Sequence, residues 1–401
     1  MSATNATKYV EIHLLQSFPA SNLNRDAAGN PKESPFGGVR RARISSQCLK
    51  RAIRTAPVFA EQTGVPLGWR SRYMMDLLRQ RLEGKDATEV ARVLNAFVPF
   101  YFGKLDEEKG RATTAAFFSA GELGVIAEAL LSQWTILVAE AVFTEETSEE
   151  DAEPQTKRGK GKKKANGGGD TMATIAAQLI KQRVGWTDAP DIALFGRMMA
   201  HDPTLEIAAA CQVAPAISVH RHMPEQDFYT ALDDFLGDEA SMLGSTAYTS
   251  AVFYRYARVD WDLLCRNLNG DTQLAEKTLR GFLHATLVAV PTGKQNSFAA
   301  FNLPELALGI ARQGGVAWNL SNAFETPITP LSGGGLMTPA VQALLGYYED
   351  TVELWGKDSI LGTALTLQRR YQDVTGEAAT TVVPNMNDWV QTLVQHIISE
   401  E

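Results

Sequence analysis

The sequence predicts an α+β fold whose sheet is mixed or antiparallel and is interrupted by a long helical insertion. Residues 8–16 and 248–259 alternate along the chain as the two faces of a strand do. Residues 69–143 instead repeat apolar side chains at the spacing of helices. Helical patterns at about 272–288 and 387–398 follow near the end of the chain. Strands separated by one long helical segment are typical of α+β domains rather than of alternating βαβ units.

The first predicted strand has two chemically different sides. One side carries only apolar residues, Val10, Ile12 and Leu14. The opposite side includes Glu11 and His13. This alternation predicts a half-buried strand that opens the core sheet.

Turn-forming residues then dominate positions 17–38, where Gly, Pro, Asn and Asp predict a long ordered loop. Loops of this length in compact domains are often functional. Further along, a helix is predicted near 172–183, and strand-like runs are predicted at 191–199, 205–220 and 298–311.

Residues 145–171 have the composition of a mobile segment. An acidic block is followed by a basic block and by a triple glycine. Such a composition cannot bury enough apolar surface to pack a core, so we expect a mobile charged loop inside the helical insertion.

The composition is that of an ordinary globular protein, with 45% hydrophobic and 21% charged residues in 401. The sequence shows no apolar run near the roughly 20 residues of a membrane span and no signal-peptide pattern, so we expect a cytoplasmic protein without a membrane partner. Three scattered cysteines predict reduced thiols. A formal net charge of −8 restricts any nucleic-acid binding to local basic patches.

One such patch lies at residues 36–54. Its basic residues are Arg40, Arg41, Arg43, Lys50, Arg51 and Arg54. A strand ends near Ile44, and Ser45 or Ser46 is a good N-cap for a helix that buries Leu49 and Ile53. Gln47, Lys50, Arg51 and Arg54 form a neighbouring stripe of hydrogen-bond donors beside a helix N-terminus, which attracts phosphate oxygens. The pattern fits a polyanion site and a solvated basic face equally well.

Six motifs resemble, in the same order, those of one protein family: the backbone subunit of Cascade, the RNA-guided surveillance complex of type I-E CRISPR systems. They are LNRD (23–26), FGGxRRxRISSQxLKRAxR (36–54), DIALFGRM (191–198), SAVFYRYA (250–257), GKQNSFAAFN (293–302) and SNAFE (321–325). Together they span most of the chain, and the second is highly specific.

The resemblance implies a right-hand-like fold with a palm like an RNA-recognition motif (ferredoxin-like), helical fingers and a β-rich thumb. The first part of the palm would cover 1–59 and the fingers 60–185. A palm strand and the thumb would cover 186–230, and the second part of the palm and the C-terminal helices would cover 231–401.

The resemblance also implies which residues contact nucleic acid. Those expected to bind guide RNA are Arg25, Lys32, Arg43, Ser45, Gln47, Lys50, Arg51, Arg54, Arg197, Met198, Phe228, Tyr229 and Thr230. Among them Met198 and Tyr229 would clamp a kinked base, although plain core packing is the alternative. A basic tract ahead of a helix would touch target DNA or remain a solvated linker; it consists of Lys157, Arg158, Lys160, Lys162, Lys163 and Lys164. Val39 departs from the family, whose members can carry lysine there.

The implied function is a noncatalytic scaffold for antiviral defence. Copies of the chain would assemble along CRISPR RNA, kink it at regular intervals and present its bases for R-loop formation with target DNA. The implied partners are the large subunit, the small subunit, the guide-end-capping subunit and the CRISPR RNA endonuclease, with a helicase-nuclease acting indirectly. No cofactor is expected.

An enzymatic alternative rests on Asp26, because related type III backbone subunits use a loop aspartate for metal-dependent RNA cleavage. No second carboxylate is grouped with Asp26 in the sequence. His220 and His222 lack a third ligand, so surface positions are expected for them. The glycine runs at 167–169 and 333–335 lack the context of a phosphate-binding loop.

Overall fold

The computed structural model describes residues 6–106, 109–150, 170–199, 201–232, 234–235, 240–374 and 380–399, without the side chains of 144–150, 170, 232, 240 and 241. The chain divides into two compact units. We call Met1–Gly64, Ala210–Leu264 and Thr272–Glu401 the sheet unit, and Val65–Ala209 with Cys265–Asp271 the helical unit.

The strands and helices are numbered along the chain. The strands are β1 (Lys8–Ser21), β2 (Glu33–Phe36), β3 (Val39–Ile44), β4 (Trp69–Ser71), β5 (Leu105–Asp106), β6 (Arg111–Ala112), β7 (Ala116–Phe118), β8 (Cys211–Val213), β9 (Ala216–Ser218), β10 (Glu225–Leu232), β11 (Ala240–Asp260), β12 (Leu306–Gln313) and β13 (Ile360–Leu367). The helices are α1 (Ser46–Arg54), α2 (Pro57–Thr63), α3 (Met74–Arg81), α4 (Ala87–Tyr101), α5 (Ala120–Ser132), α6 (Trp134–Glu150), α7 (Asp170–Arg183), α8 (Pro190–Phe195), α9 (Trp261–Asn267), α10 (Thr272–Val288), α11 (Gln295–Phe298), α12 (Met337–Trp355) and α13 (Met386–Ile398).

The sheet unit is built on one antiparallel sheet with the strand order β13-β12-β1-β11-β9-β3-β2, and β8 and β10 pair with β11 as well. The long strand β1 lies between β11, where Ile12 is opposite Ala257, and β12, where Ile12 is opposite Gly309. The predicted α+β class with an antiparallel sheet is therefore confirmed.

The prediction of a half-buried first strand is wrong, because helices cover both sides of the sheet. On one side, Gly309 lies against Leu393 of α13, and Leu14 shares a small cavity with Leu49 of α1. On the other side, Leu15 belongs to a core cluster that includes residues of α12 such as Leu344. Glu11 and His13, on the side predicted to be exposed, are fully buried.

The helical unit has its own apolar core, to which α3, α4, α5, α6 and α7 contribute. Helix α5 begins with a capping box in which Ser119 and Glu122 satisfy each other's backbone amides. Within the helical pattern predicted over 69–143, one helix ends at Ser132 and the next begins at Trp134. Among the described residues no single helix is long and apolar enough to cross a membrane; only Ala120–Ser132 with Trp134–Phe143 reach that length together, at an 82° bend.

Three local predictions need correction. The strand-like run at 191–199 contains α8, which begins at Pro190 and is buried along most of its length, so its sequence lacks an amphipathic period. The predicted loop at 17–38 includes the end of β1 and all of β2. The predicted mobile loop at 145–171 is helical at both ends, and its residues 151–169 lie outside the described residues.

Candidate nucleic-acid interface

Helix α1 presents the predicted stripe of donors. Ser45 is the N-cap, and its side chain accepts a hydrogen bond from the backbone N–H of Cys48. Leu49 and Ile53 are buried, whereas Gln47 and Arg51 are exposed. Lys50 and Arg54 are half-buried beside them. The predicted cap and the predicted buried face of this helix are both confirmed.

The loop of the LNRD motif is attached to the start of α1. The Ser45 backbone N–H donates to Asn24 Oδ1 at 2.9 Å, and the Lys32 N–H donates to Asn24 O at 2.8 Å. Asp26 Oδ1 accepts from the backbone N–H groups of Ala28 and Asn30, both at 2.9 Å. The Asp26 carboxylate therefore shapes this loop, and Arg25 beside it is exposed.

Two surface grooves of the sheet unit meet at Asp26. The first, of about 370 Å³, we call the helix groove; it is lined by Leu23, Asn24, Arg25, Asp26, Cys48, Arg51, Ala52, Thr55, Pro291, Thr292 and Gly293. The second, of about 640 Å³, we call the strand groove; it is lined by Asp26, Asn30, Pro31, Lys32, Glu33, Arg40, Arg43, His222, Pro224, Gln226 and Ala247. The structure thus brings Arg25, Lys32, Arg43 and Arg51 together along one continuous surface.

The electrostatics of Cys48 reflect this convergence of cations. Burial raises the pKa of the Cys48 thiol, while the positive charges of Lys32, Arg25 and Arg51 oppose that increase in pKa. Three cations from a loop and a helix therefore act on one point in the helix groove. Such clustering suits a polyanion more than a solvated face.

The GKQNS loop is a wall of the helix groove that residue patterns alone did not assign. A Cβ atom at Gly293 would lie 2.4 Å from the carbonyl oxygen of Leu23, so only glycine allows the two loops to touch. Lys294 next to it is exposed, with a left-handed backbone at φ 52°. A glycine followed by a polar run between a helix and a strand is the signal that could have indicated this contact.

Arg41 differs from the other basic residues of the patch because it is fully buried. Its guanidinium donates to the carbonyl oxygens of Ser218 at 3.1 Å and Phe324 at 2.8 Å. Burial lowers its pKa. Including Arg41 in a phosphate-binding patch was therefore wrong, because its donors bind the protein's own backbone.

Arg197 and Met198 lie side by side in the helical unit in opposite environments. Arg197 is buried, forms an ion pair with Glu122 at 2.8 Å and donates from Nε to the Leu205 carbonyl at 2.9 Å. Met198 is 79% exposed and borders a cavity of about 250 Å³ that His201 also lines. The structure therefore makes Arg197 a support for the loop that carries Met198, and core packing of Met198 is ruled out.

Strand β10 and the first part of β11, up to Tyr248, form an exposed two-stranded ribbon that carries Phe228, Tyr229 and Thr230. Tyr229 is opposite Gly244, and a Cβ atom at Gly244 would lie 2.5 Å from the Tyr229 ring. The ring therefore lies across the glycine. Because neighbouring residues of a strand point to opposite faces, Phe228 and Tyr229 occupy different faces of the ribbon. Phe228 is 66% and Tyr229 42% exposed, so neither is a core residue.

Two further predictions concern the basic tract at 157–164 and the histidines His220 and His222. The basic tract at 157–164 lies outside the described residues. Of the two histidines expected at the surface, His222 is buried, with Nδ1 3.3 Å from Glu33 Oε2. In the part of the chain that the structure describes, no group of three His, Cys, Asp or Glu side chains could hold a metal ion.

Fold and surface together define an α+β protein with a groove of converging cations on an antiparallel sheet. The chain belongs to the family described as CT1975-like protein, whose sequence profile matches residues 10–392. A chain of a solved structure described as "CRISPR RNA-guided surveillance complex, pre-nicking" is similar to it, with 27% identity and a TM-score of 0.75 over 97% of this chain and 100% of that chain.

A second solved chain, described as "CRISPR RNA-guided surveillance complex", shares the fold at 24% identity and a TM-score of 0.68, over 96% of this chain and 99% of that one. No curated protein matches. These comparisons confirm the predicted resemblance to a subunit of a CRISPR RNA-guided surveillance complex.

Proposed function

We propose that this chain is a noncatalytic backbone subunit of a type I-E Cascade complex that binds the phosphate backbone of CRISPR RNA. The observation that carries the proposal is the convergence of Arg25, Lys32, Arg43 and Arg51 on two grooves that meet at Asp26. The similarity of the whole chain to a subunit of a surveillance complex supports it.

The chemistry of the grooves suits a ligand of any sequence. Guanidinium groups and the ammonium group of Lys32 bind phosphate oxygens, and the N-terminus of α1 adds backbone N–H groups with the positive end of a helix dipole. Contacts to phosphates fix the register of a strand but do not read its bases. A guide-binding scaffold must accept every spacer, so this kind of contact is what it requires.

We keep the division that the resemblance implies, with the palm at 1–59 and 231–401, the helical fingers at 60–185, and a palm strand with the thumb at 186–230. Met198, Phe228 and Tyr229 would then contact kinked bases, because sulfur and aromatic rings stack on any base. Their exposure supports this role, since all three side chains are accessible to a bound strand.

The assembly would contain further copies of this chain, the large and small subunits, the guide-end-capping subunit and the CRISPR RNA endonuclease, in the cytoplasm. The tract at 157–164 would hold target DNA through its phosphates. Replacing its six basic residues by serine is then expected to weaken target DNA binding and to leave guide RNA binding unchanged. Unchanged DNA affinity would contradict a role of this tract.

Binding of the purified chain to labelled single-stranded CRISPR RNA across a salt series tests the phosphate grip. If about six cations neutralise phosphates, the logarithm of affinity should fall with the logarithm of salt at a slope of about −4. The double substitution Arg25→Ala/Arg51→Ala should make this slope shallower by about 1.4. Lys277→Ala/Lys357→Ala removes the same charge from exposed positions outside both grooves and should leave the slope unchanged. Equal slopes for the two double variants would refute the proposed interface.

The nuclease alternative is tested in the same samples by following RNA length with magnesium and with chelator. Asp26→Asn is a sharper variant than Asp26→Ala, because the amide oxygen can still accept from Ala28 and Asn30 while the carboxylate is lost. We expect intact RNA with wild type and variant alike. Cleavage that requires magnesium and disappears in Asp26→Asn would make the protein an enzyme.

A further inference from the structure

The strand groove holds two buried polar atoms that have no hydrogen-bond partner among the described residues: Arg43 Nε and His222 Nε2. His222 is only 6% exposed. Buried polar atoms in folded proteins are nearly always paired, and these two belong to residues that line the same groove, so a ligand bound in the groove is a candidate partner for both.

The two atoms differ in hydrogen-bonding character. His222 Nδ1 lies 3.3 Å from Glu33 Oε2, and because a carboxylate only accepts, Nδ1 carries a proton in this contact; we consider the tautomer in which Nε2 carries none. His222 Nε2 is then an acceptor, whereas Arg43 Nε is always a donor. A phosphate oxygen can satisfy Arg43 but cannot donate to His222. A hydroxyl group can do both.

The surroundings of this pair also favour a hydroxyl next to a phosphate. Glu33 accepts from Arg40 as well as from His222, and the His222 backbone N–H donates to the Arg40 carbonyl at 2.8 Å. Glu33 is therefore a positioning residue that fixes the imidazole. Its negative charge disfavours a phosphate at that end of the groove, while Lys32 supplies a cation for a phosphate elsewhere along it.

We propose that the strand groove binds the ribose of an RNA nucleotide through its 2′-hydroxyl group, which accepts from Arg43 Nε and donates to His222 Nε2. The 2′-hydroxyl is the group that lets a protein distinguish RNA from DNA. This inference rests on the proposed binding of guide RNA and adds to it a selection of RNA that phosphate contacts alone cannot make.

The test compares binding of the full chain to three strands of one sequence: RNA, DNA and 2′-O-methyl RNA, which keeps the oxygen but lacks the donor. Wild type is expected to bind RNA about tenfold more tightly than the other two strands. His222→Asn retains a donor to Glu33 in place of Nδ1 and lacks Nε2. It should lose the preference for RNA while its affinity for DNA stays unchanged. Arg51→Ala, in the helix groove, should weaken binding of all three strands equally.

Each outcome decides a separate question. Equal wild-type affinity for RNA and 2′-O-methyl RNA, or a preference that persists in a folded His222→Asn variant, would overturn the ribose site while leaving phosphate binding intact. Failure to bind any strand would overturn the proposed function itself. If His222→Asn does not fold, Arg43→Lys takes its place, because it keeps the positive charge and lacks Nε; a preference for RNA that persists in this variant would likewise overturn the ribose site.

Discussion

Two arginines, Arg41 in the patch at 36–54 and Arg197 in the DIALFGRM motif, have structural roles that could not be recognised from sequence. Arg197 was expected to bind guide RNA and Arg41 was counted in the basic patch at 36–54, yet both are buried. Sequence shows that a position carries a guanidinium but not whether a carboxylate or a set of carbonyl oxygens from a distant segment surrounds it. Glu122, which pairs with Arg197, is 75 positions away in the chain.

Substitutions of the neighbours Arg197 and Met198 test whether a residue of this motif supports the fold or contacts RNA. Arg197→Ala leaves the buried Glu122 carboxylate without its cation and should lower the free energy of unfolding by about 3–5 kcal/mol. Met198→Ala removes an exposed side chain and should change it by less than about 0.5 kcal/mol. Urea unfolding of both variants measures this contrast, and RNA binding under native conditions measures the role of Met198.

A variant of Arg197 that loses RNA binding but not stability would contradict this expectation. A stable Arg197→Ala variant with weakened RNA binding would make Arg197 a direct contact, as the motif first implied. Since the Arg197 and Glu122 side chains are only 1% and 3% exposed, we expect the stability effect to dominate.

At the scale of elements, the helix groove depends on the approach of the GKQNS loop to the LNRD loop. Gly293→Ala would place a methyl group against the Leu23 carbonyl without changing any charge. We expect a loss of about 1–3 kcal/mol in stability from the forced displacement, together with weaker RNA binding. Gly333→Ala is the matched control, because a Cβ atom there meets nothing within 4 Å. Thermal unfolding and binding titrations of both variants would measure the two effects.

The amphipathic helix α1 was predictable from sequence, and the buried helix α8 was not. Helix α1 was predicted correctly because Leu49 and Ile53 alternate with exposed donors. Helix α8 was mistaken for a strand because nearly all of it is buried, which leaves no period to read. For the contact of Gly293 with Leu23, the local pattern could mark the glycine as a site of close approach, but it could not identify Leu23 as the partner, which depends on tertiary structure.

At the scale of the whole molecule, burial of both sides of β1 places charged groups inside the sheet unit. Glu11 forms an ion pair with Arg312 at 3.4 Å and accepts from the Tyr256 hydroxyl at 2.9 Å. His13 Nδ1 and the Tyr254 hydroxyl are joined at 2.9 Å. A polar residue in an alternating strand is normally a sign of exposure, so this network could not have been placed in the core from sequence.

The buried His13 makes the stability of the molecule depend on pH. Burial, together with the positive charge of Arg312, lowers the pKa of His13 to about 3 from its ordinary value of 6.5. Between these two values the unfolded chain binds a proton at His13 that the folded chain does not. The free energy of unfolding should therefore fall by about 1.4 kcal/mol per pH unit as pH decreases through this range.

His13→Phe removes this proton uptake, so the difference between the wild-type and variant stability curves isolates it. Urea unfolding at several pH values should show a steeper loss of stability toward acid in wild type, with a constant offset above pH 6.5 from the lost hydrogen bond to Tyr254. Burial raises the pKa of Glu11, and because this group titrates in both proteins, its opposite contribution cancels in the difference. Parallel curves across the acidic range would mean that His13 gains a proton inside the folded core, and would contradict a neutral imidazole between β11 and β12.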